Sequence, residues 1–202
     1  MSANENLFRL VLLSGFVLII PVALHYRLEA AKSKDRLNRR EEGLFILLTL
    51  RPIAGIGMLG FFAYLIDPSW MAWSSLPLPD WIRWCGACLG VLAGALLIVT
   101  MRTLGPNLTD TVVTRARHTL VTTGPYRWVR HPFYVAFAGA VVANALTAAN
   151  GFIGTTGAIA FCLLVIRSRI EEQNLLKRFG PHYADYRART GAFLPRPPTR
   201  AR

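Results

Sequence analysis

Ile82-Arg83-Trp84-Cys85-Gly86-Ala87-Cys88-Leu89-Gly90-Val91-Leu92-Ala93-Gly94-Ala95-Leu96-Leu97-Ile98-Val99-Thr100 is a run of 19 residues with one charge near its beginning. A helix needs about 20 apolar residues to cross a hydrocarbon layer about 30 Å thick, so this stretch reads as a membrane span. Four further apolar runs have the same character: Leu10 to Leu24, Leu44 to Ile66, Phe133 to Ala149 and Phe152 to Ile166. Only Ala149-Asn150-Gly151 separates the last two, so they form a helical hairpin through a tight turn. The expected fold is all-α: a multi-pass transmembrane helical bundle of about five spans with a C-terminal hairpin. The chain of 202 residues is expected to form a single membrane-embedded domain, with three transmembrane helices in residues 1–104.

Composition agrees, with 53% hydrophobic and only 17% charged residues. The net charge of +12 raises the question of nucleic acid, which the placement of the charges answers. Of the 23 Lys and Arg residues, 20 fall between spans one and two, between spans three and four, or after span five. The segment Asp67 to Asp80 has none, and neither has the hairpin turn. Such alternation is the positive-inside pattern, and it predicts an N-terminus outside and a C-terminus in the cytosol. The basic balance therefore reports topology and a lipid bilayer as partner, and no nucleic acid is expected. Trp70, Trp73, Trp81 and Trp84 flank the outer loop as an interfacial aromatic belt. The first run has only Arg9 before it and no small-x-small cleavage site in Val22-Ala23-Leu24, so it reads as an anchor rather than a signal peptide.

Three familiar patterns lose their usual meaning in this setting. Gly55-Ile56-Gly57-Met58-Leu59-Gly60 has dinucleotide-fingerprint spacing but lies inside an apolar span, where close helix packing explains it. Gly86, Gly90 and Gly94 give span three a smooth face, for packing within the chain or for self-association between copies. Cys85-Gly86-Ala87-Cys88 stands near the start of a membrane helix with only Cys162 elsewhere, so buried packing is expected and no metal set. Arg51-Pro52 interrupts span two, leaving a structural role and a cavity-lining role both open.

The densest polar cluster is His118-Thr119-Leu120-Val121-Thr122-Thr123-Gly124-Pro125-Tyr126-Arg127-Trp128-Val129-Arg130-His131-Pro132-Phe133-Tyr134. Gly124-Pro125 forces a turn, and Pro132 suits the first turn of span four. That helix start is expected to present unpaired N–H groups beside Arg130 and His131, an arrangement suited to a carboxylate or phosphate. Past span five, Arg167 and Glu171 are four residues apart and share a helical face, opposite the start of span four because the connecting turn is so short. Phe179-Gly180-Pro181-His182-Tyr183-Ala184-Asp185-Tyr186 then opens a short cytosolic amphipathic helix that either caps a pocket or lies on headgroups.

Asn107-Leu108-Thr109, His118-Thr119-Leu120-Val121, Gly124-Pro125-Tyr126, Arg130-His131-Pro132-x-Tyr134, Arg167-x-x-x-Glu171 and Phe179-Gly180-x-x-Tyr183-x-x-Tyr186 occur in this order. Together they strongly resemble the isoprenylcysteine carboxyl methyltransferase family, over roughly Gly105 to Pro195. The resemblance implies a membrane methyltransferase that uses S-adenosylmethionine and a lipophilic or lipidated acceptor, with its catalytic region in residues 105–202. It assigns cofactor binding to His118, Thr119, Leu120, Val121, Tyr126, His131, Pro132, Phe133, Tyr134 and Glu171. It assigns Arg167 to the substrate, with Arg167 and Glu171 as the catalytic pair. Arg169 and Glu172 lie close enough for that alignment to slip. The loop Val113 to His118 looks shorter than in eukaryotic members, so a polar contact made there falls to Thr114 or is absent.

The implied chemistry suits these residues. A carboxylate nucleophile is already ionised at neutral pH, and positioning can supply much of the acceleration. Arg167 can hold it bidentately, Glu171 answers positive charge on the cofactor, and a tyrosine face does so through cation–π attraction. Other readings stay open: a membrane NADPH-dependent reductase of related architecture, a phospholipid or small-thiol methyltransferase with His131 or Glu172 as base, or a non-catalytic scaffold. The short Ala-, Gly- and Arg-rich chain looks prokaryotic, which points to the cytoplasmic membrane.

Overall fold

The computed structural model describes residues 3–31, 44–105 and 119–196, and among them the fold is entirely helical. Six α-helices follow in order: α1 (Ala3–Ala31), α2 (Leu44–Ile66), α3 (Asp80–Leu104), α4 (Pro132–Ala148), α5 (Gly151–Phe179) and α6 (Pro181–Arg189). A 3-10 helix, Pro68–Ser74, links α2 to α3, and a 3-10 turn, Gly124–Arg127, precedes α4. In space α1 packs on α3, α3 on α4, α4 on α5, α5 on α2 and α2 on α1, so five helices close a ring.

Four helices, α1, α2, α3 and α5, are long and apolar enough to cross a membrane. The expectation of five spans meets a difference at α4, whose 17 residues cover only about 25 Å at 1.5 Å per residue. Its hairpin partner differs the other way. The apolar run ends at Ile166, but the helix continues through Arg167 and Glu171 to Phe179, for 29 residues. Arg167, Glu171 and Glu172 therefore stand on a helical extension of the span. The first span also outgrows its apolar run, because its polar flanks stay helical from Ala3 to Ala31.

The glycine patterns resolve into packing. A Cβ on Gly60 would lie 2.4 Å from the Phe152 ring and one on Gly57 3.1 Å from Thr156 Oγ1, so α2 and α5 touch through them. On α3, Gly86 meets Leu146 and Thr147, Gly90 meets Ala143 and Gly94 meets Ile19, which turns the smooth face toward α4 and α1 inside the chain. The cysteines differ from expectation: Cys85, Cys88 and Cys162 are all exposed. They point outward from the bundle, where a small apolar side chain costs nothing beside lipid. Arg51 is exposed on α2, which continues as a helix through Pro52.

The hairpin turn is locked by Asn150, only 2% exposed. Its Oδ1 accepts from the Ile153 N–H at 3.1 Å and caps α5, while its Nδ2 donates to the Met71 carbonyl at 3.0 Å. At the same end of the bundle, Arg83 donates through Nη1 and Nη2 to both Glu5 carboxylate oxygens, at 3.0 and 3.1 Å. Its Nε donates to the Thr147 carbonyl at 3.0 Å, and its guanidinium lies 3.9 Å over the Phe8 ring. Tyr64 donates to Glu5 at 2.6 Å. One arginine thus ties α1, α2, α3 and α4 together, its charge neutralised bidentately where isolation would be costly.

Candidate active site

The opposite end of the bundle holds the polar cluster. Here α4 begins, α5 extends past its apolar run, and α6 folds back with Tyr183 and Tyr186 buried. The 3-10 turn brings Tyr126 to this place: Gly124 adopts φ +58° beside Thr103 of α3, and the Tyr186 hydroxyl donates to the Tyr126 carbonyl at 2.6 Å.

Two adjacent glutamates on α5 have different surroundings. Glu172 has a side chain 13% exposed and receives Arg130 Nε and Nη2 at 2.8 Å each. His131 Nε2 lies 3.3 Å from the same oxygen, and Arg187 Nε lies 3.4 Å from the other. Arg130 Nη1 also donates to the carbonyls of Arg187 and Thr190. Glu171, 33% exposed, accepts from the Tyr134 hydroxyl at 2.9 Å and lies 3.9 Å from His131 Nδ1. Glu172 is thus enclosed by cations, whereas Glu171 keeps an open side.

The rings form a second layer. His131 and Tyr134 stack with centroids 5.3 Å apart and planes 7° from parallel. Burial raises the Tyr126 phenol above the ordinary tyrosine range, and the charge of Glu171 pushes the same way. Burial likewise pushes Tyr186 up to about 12, with Arg130 opposing and Glu172 adding. Arg167 is half-buried one turn before Glu171, and its charge bears on the Tyr134 phenol. Arg169 is exposed.

Tyr126, His131, Tyr134, Arg167 and Glu171 are therefore brought to one place. Pro132 is buried in the first turn of α4. Phe133 turns away and packs against Ala30 and Met101, toward α1 and α3. Thr119 is exposed and Leu120 and Val121 half-buried in the segment leading to the Tyr126 turn. His118, Asn107, Leu108, Thr109 and Thr114 lie outside the described residues.

One expectation is corrected. The N–H groups of Arg130 and His131, just before α4, are not open to an anion, because Arg130 N–H donates to the Gly191 carbonyl at 2.8 Å and His131 N–H to the Ala192 carbonyl at 3.0 Å. The Arg130 guanidinium is equally committed, to Glu172 and to two carbonyls. Sequence reasoning missed this strap, Thr190 to Phe193, and missed Glu172 as its anchor. The Thr190-Gly191 pair was the available signal: a Cβ at Gly191 would fall 1.7 Å from the Leu194 carbonyl oxygen, so only glycine fits the fold-back.

A family model described as the isoprenylcysteine carboxyl methyltransferase family matches residues 85–177, taking in most of α3, all of α4 and most of α5 with Tyr126, His131, Tyr134, Arg167 and Glu171. Over these residues the chain resembles this family. Rat (Rattus norvegicus) protein-S-isoprenylcysteine O-methyltransferase is 32% identical over 127 residues, 61% of this chain and 44% of that protein. The nickel-cobalt-cadmium resistance protein NccN of Alcaligenes xylosoxydans xylosoxydans is 42% identical over 118 residues, 56% of this chain and 53% of its own. The solved structure of the eukaryotic intramembrane Ras methyltransferase superposes with a TM-score of 0.56 at 28% identity, covering 72% of this chain and 51% of that one. The chain spans about half the length of the curated relatives it matches. The likeness to the isoprenylcysteine carboxyl methyltransferase family thus rests on the region that builds the cluster, while α6 and the strap lie beyond the matched residues.

Proposed function

We propose that this integral membrane protein transfers a methyl group from S-adenosylmethionine to a carboxylate on a lipophilic acceptor of the isoprenylcysteine type. The observation that carries the reading is the meeting of His131, Tyr134 and Glu171 where α4 begins and α5 leaves its apolar run. The residues suit this cofactor: a carboxylate with an open side faces the aromatic residues, an arrangement matched to a cationic ligand with a flat base. Bound S-adenosylmethionine would supply an electrophilic methyl group on a sulfonium.

Glu171, held by the Tyr134 hydroxyl, attracts the positive charge of that ligand. Tyr126 and His131 flank it. Arg167, on the same face of α5 and half-buried, grips the acceptor carboxylate and aims it. With the donor bound, the methyl would pass to a carboxylate oxygen held by Arg167, and the sulfonium would leave as a neutral thioether, so the product would be an ester. No proton moves, so no general base is required, and orientation carries the catalysis. The cluster end faces the cytosol in this reading, because the segments joining α1 to α2 and α3 to α4 carry the basic residues.

Thermal-shift measurements with S-adenosylhomocysteine and with NADPH, followed by labelled-methyl transfer into a membrane extract, test the proposal. Stabilisation by S-adenosylhomocysteine alone, with an alkali-labile methyl ester as product, is expected. Stabilisation by NADPH instead would replace the reading with a reductase. An alkali-stable product would move the acceptor to a thiol or amine.

A further inference from the structure

The strap has an aromatic side chain at a junction that no motif covers. Phe193 lies 5.5 Å from His131 and 6.4 Å from Tyr134, ring centroid to centroid, on the polar side of the cluster. On its other side it meets Phe161 edge-on at 6.2 Å, within the apolar part of α5. The ring is only half-buried, so part of it remains open. It bridges the polar cluster and the apolar stretch of α5.

Its position is fixed with unusual redundancy. Two backbone hydrogen bonds join residues 130 and 131 to Gly191 and Ala192, and Val129 pairs with Gly191 as a parallel bridge. Arg130, gripped by Glu172, holds the Thr190 carbonyl from beneath. Thr190 is 4% exposed. Gly191 cannot accept a Cβ, so the fold-back that aims Phe193 requires glycine there.

We infer that Phe193 is a specificity-determining residue for the acceptor: its open face forms the wall on which the hydrocarbon next to the reacting group rests, while the cofactor occupies the polar side. This rests on the methyltransferase reading above. The physical reason is that a lipophilic acceptor must bring a charged carboxylate to Arg167 while its chain stays in apolar surroundings. The bridge between those surroundings is this ring. A fixed aromatic face offers the chain dispersion contact at little entropic cost, and discriminates chains that reach it from those that do not.

The test uses the full chain in nanodiscs with N-acetyl-S-farnesyl-L-cysteine and its shorter S-butyl analogue as probes. Phe193→Ala is expected to raise the KM for the farnesyl probe about tenfold and to narrow its advantage over the butyl probe, with the dissociation constant of S-adenosylhomocysteine changed less than about threefold. Phe193→Leu is expected to recover most of the loss. Unchanged S-adenosylhomocysteine binding also shows that the variant is folded. A parallel loss of cofactor and acceptor affinity would overturn the inference and make Phe193 a support of the whole cluster. An unchanged KM, or a wild-type protein that binds S-adenosylhomocysteine but methylates neither probe, would overturn it also. A wild-type protein that does not bind S-adenosylhomocysteine sinks the methyltransferase reading itself, and this inference with it.

Discussion

Glu171 and Glu172 are neighbours of identical chemistry, and their substitution by alanine is expected to produce opposite phenotypes. Glu172→Ala removes, among the described residues, the carboxylate that Arg130 contacts, its side chain 7% exposed, and leaves His131 at 5% without its closest described acidic contact. Breaking a buried ion pair from one side costs about 3–5 kcal/mol. Arg130 keeps the carbonyls of Arg187 and Thr190, and Arg187, 52% exposed, returns to water, so the lower figure of about 3 kcal/mol applies. In a chain of this size that lowers the unfolding midpoint by about 6–12 °C. Glu171→Ala loses one hydrogen bond from Tyr134 at a side chain 33% exposed, worth about 1 kcal/mol or less. Its loss falls on the ligand instead: a hydrogen bond to a charged group is worth about 1.5–3 kcal/mol, or about 10- to 150-fold in the Kd of S-adenosylhomocysteine. Unfolding followed by intrinsic fluorescence in one detergent, with ligand titration on the same samples, reads both quantities. Equal destabilisation by the two substitutions, or a Glu172→Ala variant that melts with wild type, would refute the division of roles.

Arg167→Ala is expected to lower methyl transfer by at least about a hundredfold while S-adenosylhomocysteine binds within about threefold of wild type, as measured by turnover and titration; equal loss of both contradicts its assignment to the acceptor. Glycine substitutions on α2 separate packing from propensity. Gly60→Ala drives a methyl into the Phe152 ring and destabilises, whereas Gly55, with nothing within 4 Å, accepts alanine with a gain of up to about 1 kcal/mol, read from the same melting curves. Alkaline titration followed at the tyrosinate absorbance addresses the buried phenols. Tyr126 and Tyr186 have folded pKa values above the ordinary 10.0, so their contribution to stability is complete below pH 10 and is lost as pH rises through about 12 at Tyr186. Unfolding coincident with late tyrosine ionisation is the predicted signature, and early ionisation of these tyrosines in the folded protein would contradict it.

Much of the architecture was legible because membrane spans announce themselves by length and composition. The run from Ile82 to Thr100 became the centre of α3, and Ala149-Asn150-Gly151 became the hairpin turn, with Ala149 in the left-handed region at φ 48° and Asn150 as cap. The site was legible for the same local reason: Gly124-Pro125, Pro132 and the Arg167 to Glu171 spacing each determine a turn or a helical face. What escaped was long-range. Arg83 pairs with Glu5 across 78 positions, and hydropathy records only that a charge sits in an apolar run. The strap escaped because its bonds use backbone groups, which leave no trace in residue identity except Gly191. The exposed cysteines were misread because burial in lipid and burial in protein demand the same apolar character.

A structure of the full chain in a bilayer mimic with S-adenosylhomocysteine bound tests the central claim most directly. The account predicts ligand density bounded by Tyr126, His131 and Glu171, with Arg167 left facing the acceptor side. Density elsewhere on the bundle, or none at saturating ligand, would contradict it.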